Sequence, residues 1–311
     1  MAPVSLRRPL TTEVKLPVQL AADGTSDAYL QRSLEQCRLL LAARGKSFAF
    51  ATRFLPPPAR LATRALYAFF RTVDDVADDC RFPGDAAALA RLDDWQRWVE
   101  RGCFPEPDDA VRHATGWAVA RYDLDRRHLL ELLEGVRGDI NFQPIATVDA
   151  QERYCYQVAA TVGLTMARIL GTTEPQALRH AIDLGIAMQL TNIVRDVGED
   201  ALRGRIYLPQ EDMIADGYTP EQLSTRQLDA AFIAVLQRQI RRARAYYRRG
   251  AAGIAMLPTE AQFAIRLAVR LYAAILDKVE QAGYDVFTRR AHLSRREKLQ
   301  WTTRVLIEQH R

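Results

Sequence analysis

Apolar residues recur at helical spacing along nearly the whole chain, and this pattern restricts the possible folds more than any other feature. It begins with SDAYLQRSLEQCRLLLAARG (26–45) and continues to SRREKLQWTTRVLIEQ (294–309). Spacings of three and four place apolar side chains on one helix face, whereas half-buried strands alternate at a spacing of two. No sustained alternation of that kind is present. The sequence therefore predicts an all-α fold.

The predicted helices follow one another through short polar connections. They cover 26–45, 56–79, 85–102, 108–123, 125–140, 148–171 and 174–204, with three more after a loop at 205–220. Several of these segments are apolar on most faces, which is typical of central helices in a large bundle. Small residues within them favour either close packing or space for a ligand. We expect one helical-bundle domain at 26–311 with a central apolar cavity.

The first 25 residues lack this pattern and contain Pro3, Pro9 and Pro17. We interpret 1–25 as a disordered N-terminal tail; a short transit peptide is the alternative. No stretch approaches the roughly 18 apolar residues of a membrane span.

Cysteine and histidine patterns exclude several kinds of site. The four cysteines have no paired spacing, and the five histidines form no zinc motif. We therefore expect buried thiols in a reducing cytosol and no zinc-based or histidine-based chemistry. The cysteines are Cys37, Cys80, Cys103 and Cys155.

The chain is moderately basic, with a net charge of +5, and almost all of its cations are arginines. This charge suits a polyanionic substrate, an anionic membrane or a nucleic acid. No basic run interleaved with aromatic residues is present, so we expect no nucleic-acid binding.

The segment VDDVADD (73–79) concentrates four carboxylates in seven residues. In a helix, Asp74 and Asp78 share one face, and Arg71 lies one turn before Asp74. Repulsion between like charges at this spacing destabilises a helix unless something neutralises them. Taken alone, the segment is explained either by a solvated helix face or by a cation site.

A second cluster, QLTNIVRDVGED (189–200), favours the cation site. Asn192, Asp196 and Asp200 form a stripe at steps of four, with Gln189 and Arg195 beside it. Oxygen ligands on two helices suit Mg²⁺, which binds one or two carboxylates and completes its shell with water and substrate phosphate. Neither an EF-hand nor a P-loop sequence is present. Together with the arginines and the apolar bundle, this predicts a diphosphate on an apolar tail held by Mg²⁺, with Mn²⁺ as a possible replacement.

Four segments resemble the squalene/phytoene synthase family in the order in which that family carries them. They are YAFFRTVDDVADD, RYCYQVAATVG, QLTNIVRDVGEDALRGRIYLPQED and AGYDVFTRRAHLS, and the resemblance extends from about Gly45 to Leu299. It implies an all-α prenyl-synthase bundle that condenses two prenyl diphosphates head to head. One departure is EGVRGDI (134–140), which keeps Asp139 but places Gly138 in a helix.

The resemblance also implies roles for individual residues. Tyr154 matches a tyrosine near the reacting carbons. The implied metal ligands are Asp74, Asp78, Asn192, Asp196 and Asp200. The implied diphosphate contacts are Arg44, Lys46, Ser47, Tyr67, Arg71, Gln189, Arg195, Tyr272 and Arg289.

Three functions remain open. The first is synthesis of phytoene from two geranylgeranyl diphosphates through a cyclopropyl diphosphate, without a nicotinamide cofactor. The second is a squalene or dehydrosqualene synthase that uses farnesyl diphosphate, and the third is a non-catalytic assembly factor. Small side chains at Ala49, Ala51 and Thr52 favour the longer substrate, if they line the cavity.

We expect a cytoplasmic protein that touches the inner face of the membrane, because the prenyl substrates and hydrocarbon product partition into lipid. The arginine-rich segment RQIRRARAYYRR (238–249) is the expected contact surface. The sequence gives no indication of the oligomeric state.

Overall fold

A computed structural model describes residues 25–80 and 82–309 of the chain, with the side chains of 25–27 left out. These residues form helices and connecting turns and contain no strand, which confirms the predicted all-α fold. The proposed tail at 1–25 lies outside the described residues except for Thr25. The helices are α1 (Thr25–Arg44), α2 (Lys46–Ala51), α3 (Pro57–Asp78), α4 (Ala86–Glu100), α5 (Ala110–Tyr122), α6 (Arg126–Ile140), α7 (Val148–Cys155), α8 (Thr161–Ile169), α9 (Pro175–Leu202), α10 (Gln210–Ala215), α11 (Pro220–Ser224), α12 (Ala230–Ala251), α13 (Thr259–Gln281) and α14 (Arg295–Gln309).

Helix boundaries follow local chemistry. The side chains of Asp85, Asp109 and Asp125 accept hydrogen bonds from the first backbone N–H groups of α4, α5 and α6. Such caps satisfy donors that a helix leaves unpaired at its start. Prolines occupy the first turns of α3 and α9, where a missing N–H has no cost.

The structure differs from the predicted helices in three places, the first being α2, which lies between the predicted helices 26–45 and 56–79. The segment 148–171 is divided by a π-helical stretch, Tyr156–Ala160, between α7 and α8. The loop predicted at 205–220 contains α10, and α11 begins at its last residue. Helices of five or six residues show too few periods for a sequence pattern to reveal them.

Two large apolar clusters hold the bundle together. One surrounds α3, where Phe69 packs against Trp95 and Trp98 of α4. The other surrounds α9, whose Leu190 and Val194 are fully buried with residues of α12 and α13. The two helices that carry the acidic clusters are therefore the central helices of the two halves of the bundle.

Backbone contact joins α9 to the π-helical stretch. A Cβ atom on Gly185 would lie 2.5 Å from the Cα of Ala160 and 2.6 Å from the carbonyl oxygen of Ala159. Glycine is required here because no side chain fits between the two backbones. This contact places the helix after Tyr154 directly against the helix that carries Asn192.

The cysteines agree with the expectation of buried thiols, except at one position. Cys37, Cys103 and Cys155 are buried, Cys80 is half-buried, and all four are free. Among the described residues, none of the helices has both the length and the apolar character needed to cross a membrane.

The close contact at Gly185 predicts a loss of stability when a methyl group is added. We expect Gly185→Ala to lower the free energy of unfolding by about 1–3 kcal/mol, because overpacking forces the backbones apart. Thermal and denaturant unfolding measure this change. Gly138→Ala in α6 is the matched control, because a Cβ there meets nothing within 4 Å; alanine should stabilise that helix by up to about 1 kcal/mol. Equal effects of the two substitutions would contradict the packing argument.

Candidate active site

The structure brings the two acidic clusters together at the C-terminal ends of α3 and α9. Arg203, which follows α9, places Nη1 3.3 Å from Oδ1 of Asp78 on α3. Arg205 donates from Nη2 to the carbonyl oxygen of Ala77 at 2.7 Å, and its Nη1 lies 3.6 Å from Asp78. The carboxylates predicted from sequence as one site therefore share one cleft.

Arg71 neutralises the cluster on α3. Its guanidinium donates to Asp74 at 3.0 Å and to Asp78 at 2.9 Å, and it also contacts Asp75. Arg44 adds a longer ion pair to Asp75, at 3.9 Å. These contacts explain how one helix tolerates like charges four residues apart.

Two arginines hold Asp196 on the opposite side of the cleft. Arg195 donates from Nε to Asp196 at 2.7 Å, and Arg290 donates to both carboxylate oxygens at 2.8 and 3.0 Å. Burial alone would raise the pKa of Asp196, but the two guanidinium groups outweigh it and hold that pKa below its usual range. Asp196 is therefore an anion with charge-assisted partners.

For two other carboxylates of the cleft, nearby guanidinium groups do not outweigh burial. Burial, followed by the carboxylate of Asp78, raises the pKa of Asp74 to about 7. Burial and the carboxylate of Asp196 raise the pKa of Asp200 to about 8. The Asp74 side chain is nevertheless 48% exposed. Its carboxylate therefore faces the open part of the cleft. A cation in that space would stabilise both anions.

Asn192 carries the most specific sign of a ligand. Its Nδ2 donates to the side-chain oxygen of Gln189 at 3.2 Å. Its Oδ1 is buried and has no hydrogen-bond partner among the described residues. A buried oxygen left without a partner costs roughly 1–3 kcal/mol, so it indicates a ligand that completes the site.

The donor set fits Mg²⁺, although it forms no metal centre by itself. Within 25–80 and 82–309, no group of three or more His, Cys, Asp or Glu side chains is placed to hold a metal ion. Mg²⁺ needs only one or two carboxylates when substrate phosphate and water supply its remaining ligands. Asp74, Asp78, Asn192, Asp196 and Asp200 supply oxygen atoms of the required type from both walls.

Tyr154 lies in a hydrogen-bonded cluster with Asp139 and Tyr207, and the sequence did not single out Tyr207. Tyr154 donates to Asp139 at 3.2 Å and Tyr207 donates to its other oxygen at 2.7 Å, while the two rings stack at 4.9 Å. Burial raises the pKa of Asp139 to about 6, although both hydroxyls oppose that shift. The available sequence signal for Tyr207 was its place in RIYLP, directly after the second acidic cluster.

Tyr67 and Tyr272 line the same cleft from α3 and α13. Burial, together with nearby Tyr272, raises the pKa of Tyr67 to about 12. The Tyr67 hydroxyl lies so close to Gly45 that a Cβ there would be 2.7 Å from it. Lys46 and Ser47 follow in the first turn of α2. The predicted RGKS segment is therefore adjacent to Tyr67.

The structure does not bring Arg289 into this cluster. Arg289 is exposed and forms no ion pair with the described residues, whereas its neighbour Arg290 binds Asp196 and approaches Glu199 at 3.6 Å. The two adjacent arginines could not be distinguished from sequence, because the segment after α13 has no regular periodicity to show which of them points inward.

The wall expected at Ala49, Ala51 and Thr52 is largely packed against protein. Ala51 belongs to a buried cluster with Leu267 and Leu271 of α13, and Thr52 is 5% exposed. The interpretation of Ala51 and Thr52 as cavity wall is wrong, because neighbouring side chains already fill the space around them.

One small cavity lies beside Asp200. It is lined by Ile193, Val197, Asp200, Arg205, Ile206, Tyr207, Leu208 and Leu223. It offers about the space of a single water molecule, so it cannot hold a prenyl tail. Tyr154 and Tyr272 both keep partly accessible side chains.

Most arginines of 238–249 form ion pairs within the protein. Arg238 binds Asp216, Arg242 binds Asp212, and Arg244 binds Asp277 and Glu280 on α13. Arg249 similarly binds Asp183. Arg241 and Arg248 are exposed and form no ion pair with the described residues, so α12 as a contact surface for an anionic membrane stays a prediction.

Sequence comparison gives the family directly. The sequence model described as squalene/phytoene synthase matches residues 41–297. The chain belongs to the squalene/phytoene synthase family. Members of this family are prenyltransferases, and the chain is an enzyme of that class.

Two relatives and two solved structures show how far the similarity extends. The chain is 38% identical to a 15-cis-phytoene synthase of Synechococcus elongatus, over 88% of this chain and 92% of that protein. It is 37% identical to a phytoene synthase of Rhodobacter capsulatus, over 86% of this chain and 79% of that protein. A dehydrosqualene synthase crystal structure matches with a TM-score of 0.84 and 28% identity, over 92% and 99% of the two chains. The crystal structure of squalene synthase HpnC from Alicyclobacillus acidocaldarius matches with a TM-score of 0.74 and 26% identity, over 83% of this chain and 96% of that chain.

The adjacent arginines give a matched test of the site. We expect Arg290→Gln to lower kcat/KM for prenyl transfer by about tenfold or more, because a charge-assisted pair to Asp196 is lost. The same change raises the pKa of Asp196, so the acidic limb of the pH profile should move to higher pH. Arg289→Gln should leave both the rate and the profile close to wild type. If Arg289→Gln caused the larger loss, our assignment of Arg290 would be wrong.

Proposed function

We propose that this enzyme condenses two geranylgeranyl diphosphates head to head to form phytoene. The observation that carries the proposal is the pair of facing acidic helices, compensated by arginines and containing the unpartnered oxygen of Asn192. Relatives that are 33–38% identical to this chain are phytoene synthases, and this similarity supports the C20 substrate.

In this proposal, Asp74, Asp78, Asn192, Asp196 and Asp200 hold Mg²⁺ or Mn²⁺ together with substrate diphosphate. The metal, when bound, neutralises diphosphate oxygens and makes diphosphate a better leaving group. Arg71 and Arg195 lie beside the carboxylates and supply guanidinium donors for the same diphosphate oxygens. Lys46, Ser47, Tyr67 and Gln189 complete the contacts to the two diphosphates.

The remaining side chains control the allylic cation. Tyr154 is held in place by Asp139 and by stacking on Tyr207, so its ring has one fixed orientation. The ring face of a tyrosine stabilises a nearby cation by about 0.5–2 kcal/mol. Attack by the double bond of the second substrate, with loss of a proton, then gives the cyclopropyl diphosphate. This intermediate loses its own diphosphate in the same site, and the resulting cation rearranges. Released diphosphate or a tyrosine hydroxyl accepts the final proton, and we propose no nicotinamide-dependent step.

A second candidate uses farnesyl diphosphate in the same site. The similarity to solved dehydrosqualene and squalene synthases supports it. Both candidates share the residues and steps above and differ in the length of the tail. A non-catalytic assembly factor is disfavoured, because such a protein has no need for paired carboxylates in an enclosed cleft.

We also propose a cytoplasmic location with peripheral contact to the inner face of the membrane. The reason is chemical: both prenyl tails and a hydrocarbon product partition from water into lipid. A bilayer adjacent to the cleft would supply the substrates and take up the product.

Loss of a metal ligand from either helix should abolish activity without unfolding the bundle. We expect Asp74→Asn and Asp196→Asn each to lower Mg²⁺-dependent diphosphate release by about 100-fold or more, with helical circular dichroism unchanged. Asp79→Asn is the control on the same helix, because Asp79 is exposed and binds no arginine among the described residues. Near-normal turnover in both ligand variants would contradict the metal assignment.

Product analysis tests the substrate. We expect purified enzyme with Mg²⁺ and an equimolar mixture of geranylgeranyl and farnesyl diphosphates to release mainly the C40 hydrocarbon phytoene. The reaction should proceed without reduced nicotinamide. A product pool dominated by C30 hydrocarbon would support the second candidate instead, and absence of any hydrocarbon with either substrate would support the non-catalytic reading.

A further inference from the structure

Helix α14 and the segment 46–54 lie side by side on α13. Val305 and Trp301 of α14 join Phe50 and Ala51 in one apolar cluster around Leu271 of α13. This packing uses one face of α14 and leaves the opposite face to solvent. The segment 46–54 comprises α2 and the 3₁₀ turn Thr52–Phe54. We call the solvent-exposed side of α14 and 46–54 the α14 face.

Large apolar side chains are exposed on the α14 face. Leu299 is 59% exposed and Ile307 is 52% exposed, and both lie on the outward side of α14. Phe54 is 39% exposed at the end of 46–54 and contacts Phe263 of α13 with ring centroids 5.0 Å apart. Exposed apolar groups of this size that gather on one face typically mark a contact surface.

The same face carries positive charge that no carboxylate neutralises. Arg53, Arg295, Arg296 and Arg304 are exposed and form no ion pair with the described residues. The acidic side chains of α14 are already used, since Glu297 binds Lys278 and Glu308 binds Arg270 at 3.0 Å.

Lys298 is a buried residue that adds to the uncompensated positive charge of the α14 face. It is 8% exposed and has no acidic partner among the described residues. Burial, followed by the nearby charges of Lys46 and Arg53, lowers the pKa of Lys298. Three cations thus crowd together where α14 meets 46–54, and an anion held there would relieve their repulsion.

Two other exposed apolar side chains, Ile214 and Leu202, lack unpaired cations beside them. The arginines of α12 are largely paired, as described above. Ile214 on α10 is 77% exposed, but the charges near it are paired, since Asp212 and Asp216 bind Arg242 and Arg238. Exposed Leu202 lies beside Arg203, which is paired with Asp78. Neither place presents unpaired positive charge to an anionic surface.

We propose that the α14 face docks the enzyme on an anionic lipid bilayer. Stable peripheral binding needs both apolar insertion and electrostatic attraction, and the α14 face supplies both. Lys46 connects this face to the cleft, because it follows the Gly45 that contacts Tyr67. The inference rests on the proposed function, because a lipid-soluble substrate and product need a membrane near the cleft.

Vesicle flotation with the full chain tests this assignment. The probes are vesicles of phosphatidylcholine alone and of phosphatidylcholine with one quarter phosphatidylglycerol, each at low and at 0.5 M salt. We expect binding to the anionic vesicles at low salt, weaker binding at high salt, and little binding to phosphatidylcholine alone. Each basic residue near the surface contributes about 1 kcal/mol, so Arg295→Gln with Arg296→Gln should weaken binding by about tenfold or more.

Matched variants distinguish apolar insertion from electrostatic attraction, and the α14 face from other surfaces. Leu299→Ser with Ile307→Ser should also weaken binding by about tenfold. The control pairs are Arg241→Gln with Arg248→Gln on α12, and Ile214→Ser on α10, which should bind like wild type. Turnover of detergent-solubilised substrate should be unchanged in every variant, so failure of docking is distinguishable from failure of the proposed reaction.

Three outcomes would overturn the proposal. One is wild-type vesicle binding in both α14 variants, and another is equal loss in the α12 control. The third is absence of any binding to anionic vesicles by the wild-type protein together with concentration-dependent self-association that Leu299→Ser with Ile307→Ser abolishes. That last result would assign the α14 face to a contact between copies of the chain.

Discussion

Mutual neutralisation of carboxylates and guanidinium groups makes the rest of this site possible. Two helices place like charges at adjacent turns, which by itself destabilises them. Arg71 compensates α3 and Arg195 with Arg290 compensates Asp196 on α9, while Arg203 and Arg205 connect the two helices through Asp78. The helices can therefore meet at their acidic ends, and the catalytic cleft exists because they do.

Uneven compensation within that cleft distinguishes two kinds of carboxylate. Asp196 has close cationic partners and its pKa is lowered, whereas the pKa values of Asp74 and Asp200 are raised by burial and by neighbouring carboxylates. The less compensated groups and the free oxygen of Asn192 are where an added cation would be most strongly stabilised. This asymmetry agrees with a prenyltransferase whose metal arrives together with substrate phosphate.

The sequence predicted the helical architecture well because apolar periodicity determines it directly. The sequence also paired the two acidic clusters. The 3.6 residues per turn of a helix show which side chains share a face, and both clusters carry oxygen ligands on such a face. The sequence missed α2, α10, α11 and the π-helical stretch, which lack a long period. It singled out Arg289 rather than Arg290 and overlooked Tyr207, because orientation outside regular helices depends on tertiary contacts. The ion pairs of most α12 arginines were hidden from the sequence for a related reason: their acidic partners lie on other elements of the chain.

The glycine contact between α9 and the π-helical stretch has a mechanical consequence. With no space between the backbones of Gly185 and Ala160, this stretch and α9 move as one rigid block. The separation between Tyr154 and the stripe that begins at Asn192 is then fixed by main-chain contact and is insensitive to side-chain substitution. Any change in the width of the cleft at this level is then left to elements that face the block, such as α3.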